Sequence, residues 1–448
     1  RRKKDFPSKI SRLRTHLETS RRRPRFPTGV QKADTATELM MVQQDATDTS
    51  LIDTTLSDAT LVSSARGCML GLMIGDALGA GVEGWPSEDI EKLSHERWGT
   101  SLVQDFFSAV HMASYVSAGE PGMYREARPF ENSGFVPTGP PSNHAVARQC
   151  ARHGMFTDDS ETSLALASSL VECGGVDAAA IAKGYARAWQ SSPWRGYPPT
   201  AQAVMRAVID GASIDVTGLP PHFPFDGGSF ANGGAMRISP LAIAYRDANP
   251  RSLRTAVEAA IRSSHRHPEA LDFAVVQAGA VQYALRSSAS TFDTGWLLTE
   301  LAAYCTTAAM RGSIAATAAA VARFLDDGDE LGVVADLVGR ERRPGSGMGF
   351  QIASVHMMPC VLWCVCRHAM DPRRAIQAAI ALGGDTDTTA SMVGAIVGAL
   401  HGEGEWCAHW AAQLEDGAHG RGYALDLASK LACLHPPELA AEAGVLGR

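Results

Sequence analysis

The sequence predicts an all-α fold, and three observations lead there. From Leu61 onward, apolar residues recur at spacings of three and four, with alanine abundant among them. Alternating strand-like runs are scarce, and no strand leading through a glycine loop into a helix appears. Two glycine stripes recur at every fourth residue, Gly67-Gly71-Gly75-Gly79 and Gly394-Gly398-Gly402. A glycine inside a helix costs about 1 kcal/mol relative to alanine, so each stripe should be offset by close approach of a neighbouring backbone. Both helices are therefore expected in the core, holding the acidic clusters described below between them. Small-residue stripes also join membrane helices, but these segments are short and the first carries Asp76 and Glu83.

Taken in order, residues 1–58 hold few large hydrophobics and no sustained period, and read as a basic, solvated tail. A single domain is expected over 59–440. Its clearest helices are 159–173, 177–190, 253–263, 268–285, 314–325, 350–368 and 388–401, with a further one over 235–246. Two loops rich in Pro and Gly, 120–143 and 214–234, are expected to border a site, because long irregular loops in a helical domain are often functional.

Composition narrows the function. The chain has 448 residues, is 45% hydrophobic and carries a net charge of −7. Residues 1–26 hold eleven Lys/Arg against Asp5 and Glu18, so the remainder stands near −16. An acidic body argues against a stable nucleic-acid complex, although the arm could touch phosphates or an anionic membrane surface. Nine scattered cysteines show no zinc spacing and no disulfide framework, which suits reduced thiols in an intracellular, cytoplasmic setting. The Arg-rich, acid-poor start also suits a mitochondrial transit segment. No membrane-spanning helix is expected, and the protein is expected to be a monomer.

The chemistry concentrates in two acidic clusters, Thr157-Asp158-Asp159-Ser160 and Asp385-Thr386-Asp387-Thr388, each just before a helix rich in small residues. Paired carboxylates flanked by hydroxyls form a hard oxygen set suited to Mg²⁺. The bland alternative is helix capping, for which Asp, Ser and Thr are ordinary residues. Three further motifs accompany the clusters: Gly75-Asp76-Ala77-Leu78-Gly79 running on to Glu83, Ser229-Phe230-Ala231-Asn232-Gly233-Gly234, and Ser264-His265-Arg266-His267-Pro268. The small-residue loop opens a helix, so its backbone N–H groups could cradle a phosphate. Phe230 reads either as a ring that stacks on a ligand or as packing, and Arg237 as the partner of a buried carboxylate or of a phosphate.

In type, spacing and order these motifs resemble the ADP-ribosylglycohydrolase family, over about residues 61–433. The resemblance implies a compact, orthogonal multi-helix single domain with a central binuclear Mg²⁺ site, with Mn²⁺ as an alternative. It implies cleavage of the bond between ADP-ribose and an acceptor side chain of a modified protein, arginine or serine, with ADP-ribose as product. By the same analogy Thr157, Asp158, Asp159, Asp385, Asp387 and Thr388 would be the metal ligands. Asp158, Asp159 and Glu83 are the candidates for proton transfer; for Glu83 the alternative is a surface residue following a helix. Ser229, Phe230, Ala231, Asn232, Gly233, His265 and Gly384 are the candidate substrate contacts, with Met348, Gly349 and Phe350 near the adenosine end. Ala231 stands where glycine is expected in many relatives. Competing functions are a hydrolase of ADP-ribosylated nucleic acid or of a small metabolite, and a non-catalytic ADP-ribose-binding protein, which the intact aspartates disfavour. An all-α phosphohydrolase would need His-Asp ligand pairs, and neither cluster has an adjacent His.

Overall fold

The computed structural model describes residues 58–106, 154–193, 195–324, 328–339 and 351–437. The chain divides into Arg1–Thr55 and Leu56–Arg448, and the description below concerns the second unit. The basic tail, the 120–143 loop, and Met348, Gly349 and Phe350 lie outside the described residues.

The described residues form helices and no strand. In chain order these are α1 (Asp58–Gly79), α2 (Ser87–Trp98), α3 (Asp158–Cys173), α4 (Ala178–Ser191), α5 (Pro199–Ile209) and α6 (Ile214–Thr217). Next come α7 (Gly233–Met236), α8 (Ser239–Ala244), α9 (Pro250–Ile261), α10 (Pro268–Arg286), α11 (Thr294–Tyr304) and α12 (Ala308–Arg323). The last are α13 (Glu330–Val338), α14 (Ser354–His368), α15 (Pro372–Ala381), α16 (Thr386–His401), α17 (Glu405–Ala411) and α18 (Arg421–Ala432). Local sequence explains many of the starts. Asp177, Asp293, Asp329 and Asp371 accept N-cap hydrogen bonds from the first turns of their helices. Pro250, Pro268 and Pro372 occupy first helical positions, where a missing N–H costs nothing.

The expected helices are present, with one break. Residues 235–246 are not one helix, because Pro240 removes an amide donor and α7 ends at Met236 before α8 begins at Ser239. The loop 214–234 contains two single-turn helices, α6 and the first residues of α7.

Helix α1 lies antiparallel along α16 at the centre of the molecule, flanked by α18 on one side and by α10, α14 and α15 around α16. The glycine stripes meet each other. A methyl group on Gly71 would overlap the Gly394 carbonyl, and one on Gly67 would overlap that of Gly398. The two backbones are thus in direct contact, and Thr386 Oγ donates to Gly79 O at 2.8 Å to lock the register. By length and hydropathy α1 could cross a bilayer, yet it is buried inside this bundle. A helix that is apolar all round is the pattern of a core helix as much as of a membrane span. The antiparallel pairing brings the C-terminal end of α1 beside the N-terminal end of α16, where the second acidic cluster stands.

Candidate functional site

The first cluster is built at the start of α3. Thr157 is the N-cap, its hydroxyl accepting from Asp159 N at 3.2 Å. The capping alternative therefore applies to the threonine and leaves the Asp158 and Asp159 carboxylates for other use. Asp76 of α1, fully buried, holds this turn from outside. Its carboxylate accepts from Thr157 N at 3.0 Å, Ser160 N at 2.9 Å and Ser160 Oγ at 2.6 Å. The main chain is pinned again from the other side, where Asp158 N donates to Arg195 O at 2.8 Å and the Arg195 guanidinium donates to Phe156 O at 2.7 Å. Buried Arg195 in turn pairs with Glu161 at 2.7 Å and Glu415 at 2.5 Å.

The second cluster opens α16. Gly383 and Gly384 both adopt positive φ, 76° and 78°, and fold the chain back on the segment after Glu83. Gly384 N donates to Trp85 O at 2.9 Å and Gly84 N donates to Gly384 O at 2.6 Å. A side chain at Gly383 would meet Trp85 O and Ser87 N, so this turn demands glycine. Gly384 thus shapes the backbone and lies outside the cavity lining. Asp385 is the N-cap by position but makes no side-chain capping bond. It accepts instead from Asn232 Nδ2 at 2.6 Å, while its own N–H donates to Gln351 Oε1 at 3.3 Å.

The clusters, 229 residues apart in sequence at their point of contact, meet where Thr388 Oγ donates to Asp159 Oδ2 at 3.5 Å. Their electrostatics are those of buried, crowded carboxylates. Burial raises the Asp159 carboxyl well above its usual range, and the charges of Asp76, Asp158, Asp385 and Glu83 add to it. Burial and the Glu83 charge push Asp385 up to about 6, against hydrogen bonds from Thr388 and Asn232. Asp159 Oδ1 is buried with no hydrogen-bond partner. A divalent cation would answer both features, since it satisfies the orphaned oxygen and keeps the crowded carboxylates ionised. Among the described residues no three acidic, His or Cys side chains stand together in a group that could hold a metal ion.

A cavity of about 240 Å³ is lined in part by Glu83, Asp158, Asp159, Asp385, Asp387 and Thr388. One water needs only ~10–15 Å³, so the space accommodates an organic ligand besides ions. The same cavity is lined by Ser229, Ala231, Asn232, Gly233, Arg237, Ser264 and His265, and by Tyr185 and Tyr197. The Ser229–Gly233 loop is anchored by the segment before α14. Asn232 N donates to Ile352 O at 2.9 Å and Ser354 N donates to Phe230 O at 3.1 Å. Ala231 N donates to Ser229 Oγ at 3.2 Å. Two of the loop's amides are thus already engaged, and the helix it opens, α7, is a single turn with little dipole to offer. The expected phosphate cradle is correspondingly weaker than the sequence suggests. Phe230 lies outside the cavity lining, half-exposed against Phe225 and His267, with ring centroids at 5.8 and 6.1 Å.

His265 is buried with its ring against Gly233 and its Nδ1 2.8 Å from Ser264 Oγ. Burial, with help from the Arg237 charge, holds its pKa well below the usual value. The folded chain therefore keeps a neutral ring where an unfolded histidine would take up a proton near pH 6.5. Its contribution to stability is complete above that pH and is lost as pH falls below it. We expect His265→Gln to flatten the acid-side loss of stability, measured as urea unfolding at about pH 7.5 and about pH 5.5. An unchanged difference between the two pH values would contradict this.

Three residues that support the site were absent from the sequence-level set. Asp76 had a visible signal, a lone carboxylate inside an apolar glycine stripe. Gln351 had none, because its role is to bridge Asp385 N and, through its own carbonyl, Asn232 Nδ2 at 3.4 Å. Arg237 was open between a carboxylate and a phosphate, and among the described residues it has no carboxylate partner.

A family profile described as ADP-ribosylglycohydrolase matches residues 57–438. The chain is 27% identical over 374 residues to the mouse protein named ADP-ribosylhydrolase ARH3, covering 77% of this chain and 86% of that one. It is 25% identical over 384 residues to the human protein of that name, covering 80% and 90%. An Escherichia coli protein, YegU, is 28% identical over 277 residues, covering 60% and 77%. Among solved structures, an ADP-ribosylglycohydrolase-related protein complex superposes with a TM-score of 0.54 at 23% identity, over 84% of this chain and 99% of that one; the likeness is one of fold.

Proposed function

Since the chain belongs to the ADP-ribosylglycohydrolase family, we propose that it is a Mg²⁺-dependent hydrolase that frees ADP-ribose from a modified protein side chain, arginine or serine. The observation that carries this reading is the meeting of the two carboxylate clusters in the lining of a cavity large enough for an organic ligand.

In this reading Thr157, Asp158, Asp159, Asp385, Asp387 and Thr388 hold two Mg²⁺ ions, or Mn²⁺ in their place. Such a pair of ions supplies a template for ribose hydroxyls and for a water. The chain's own residues do the rest. Asp76 fixes the Thr157–Asp159 turn, and Asn232 fixes the Asp385 carboxylate through its 2.6 Å bond. Glycosidic cleavage passes through an oxocarbenium-like state. A carboxyl group at the anomeric carbon removes a proton from the attacking water or gives one to the leaving group, and Asp158, Asp159 and Glu83, all in the cavity lining, are the candidates for that role. An arginine acceptor leaves as a guanidine, whereas a serine leaves as an alkoxide and needs more proton assistance.

Asp387→Ala is expected to lose one of two Mg²⁺ sites in a calorimetric titration, because removal of a carboxylate from a shared set weakens the ion it serves most. Two sites of undiminished affinity would refute the shared-ligand assignment. Function itself is tested with two peptides, one carrying ADP-ribose on arginine and one on serine. Release of intact ADP-ribose from either supports the reading and names the acceptor. Release of AMP would instead mark cleavage within the diphosphate, and release from neither peptide would count against a protein side chain as acceptor.

A further inference from the structure

Gln351 stands just before α14 and is buried, only 1% exposed. Its Oε1 accepts from Asp385 N at 3.3 Å. A backbone N–H can only donate, so it is the amide oxygen that faces Asp385. The NH₂ group of the same side chain is buried with no hydrogen-bond partner. The Gln351 backbone carbonyl accepts from Asn232 Nδ2 at 3.4 Å, and that nitrogen also donates to Asp385 Oδ2 at 2.6 Å and lies 3.2 Å from Met357 Sδ.

Gln351, Asn232 and Asp385 thus close a ring of hydrogen bonds drawn from three distant parts of the chain. Asn232 ends the loop before α7, and that loop is tied again to the segment after Gln351. Asn232 N donates to Ile352 O at 2.9 Å, and Ser354 Oγ donates to Ala231 O at 3.2 Å. Asp385 opens α16. Asn232 and Asp385 both line the cavity, whereas Gln351 lies outside its lining. Gln351 therefore holds the loop and the helix start at once, from behind the site.

Stability alone is a poor reason for a glutamine at this position. A buried amide donor without an acceptor costs free energy. Methionine, of like length and volume, would shed that donor and give up one long bond to Asp385 N, so the two changes oppose each other. What the amide adds is a fixed placement of Asn232 against Asp385.

We propose that Gln351 is a positioning residue, which sets the Ser229–Gly234 loop relative to the second carboxylate cluster by holding Asn232 and Asp385 together. It acts through those two residues and touches neither the ligand nor the reacting atoms. Misplacement by about 1 Å can cost ~10²-fold in rate even when the change lies away from the chemistry. That the site releases ADP-ribose rests on the proposed function; the ring of hydrogen bonds does not.

The test is Gln351→Met in the full chain at fixed Mg²⁺. Three quantities are read: the thermal midpoint, the calorimetric affinity for ADP-ribose, and kcat/KM on an ADP-ribosylated peptide. The midpoint is expected to stay close to that of the wild type, while kcat/KM falls by about 10-fold or more and ADP-ribose binds more weakly. Because the residue acts through Asn232, the effects should not add. In an Asn232→Ala background, Gln351→Met should cost less than about a further twofold. A folded Gln351→Met variant with wild-type kcat/KM and affinity overturns the proposal. So does a loss fully additive with Asn232→Ala, or one matched by a fall in the midpoint, either of which would make the residue a structural support. A wild type that binds ADP-ribose in a Gln351-dependent way but releases none from peptides would sustain this inference and defeat the proposed function. Should Gln351→Met fail to fold, Gln351→Asn decides, since it keeps the amide but is one methylene too short to reach Asp385 N. The same loss is expected there, and wild-type kcat/KM and affinity would overturn the proposal.

Discussion

Replacing Asp158 by Asn is expected to lower the rate of ADP-ribose release by about 10³-fold or more, the scale associated with loss of an acid–base group and its electrostatics, with the fold intact. The fold should survive because the main chain at this position is held by other groups. Asp158 N donates to Arg195 O, and the turn on either side is fixed by Asp76 and by the Thr157 cap. Removing one negative charge also relieves the crowding that raises the Asp159 carboxyl, so the metal-free variant should be at least as stable as the wild type. The check is kcat/KM on an ADP-ribosylated peptide together with the thermal midpoint. Near-full activity would remove Asp158 from the chemistry, and a fall in both would make its role structural.

The second large effect is on stability. Gly394→Ala is expected to destabilise the chain by about 3 kcal/mol, at the upper end of overpacking costs. The added methyl would overlap the Gly71 backbone carbonyl, which cannot rotate away as a side chain can. The helices must separate, and α16 carries Asp385 and Asp387 at its start, so activity should fall along with stability. Gly312, on α12, is the internal control, because a methyl there meets nothing within 4 Å. Gly312→Ala should gain about 0.5–1 kcal/mol from helix propensity and reduced freedom of the unfolded chain. Urea unfolding of the two variants reads both effects. Equal and small changes would mean that the stripe is not a backbone contact.

The glycine stripes were legible because their spacing encodes a contact: a residue that weakens a helix at every fourth position needs a neighbour close by, and α1 and α16 are that pair of neighbours. The acidic clusters were legible for a similar reason, as two matched sets of carboxylates and hydroxyls at helix starts, which the fold brings together. What escaped the sequence depends on tertiary partners. Pro240 splits the helix expected over 235–246, and the single-turn α7 that results weakens the anion site read from the loop. Gln351 looks like any polar loop residue until its side-chain oxygen is seen accepting from Asp385 N and its backbone carbonyl from Asn232 Nδ2. Gly384, read as a substrate contact, shapes the backbone beside Trp85, because two successive positive-φ residues were needed to turn the chain into α16. Phe230, read as either stacking or packing, lies against Phe225 and His267 beyond the cavity lining.

The claim at the centre of this account is that the two carboxylate clusters make one metal-dependent hydrolytic site. It is tested most directly by stripping the protein of metal with a chelator, supplying ADP-ribosylated peptide, and following free ADP-ribose as Mg²⁺ is restored. The account predicts negligible release without metal, recovery as Mg²⁺ is added, and no recovery in Asp158→Asn. Undiminished release in the presence of the chelator, or equal recovery in the variant, would contradict it.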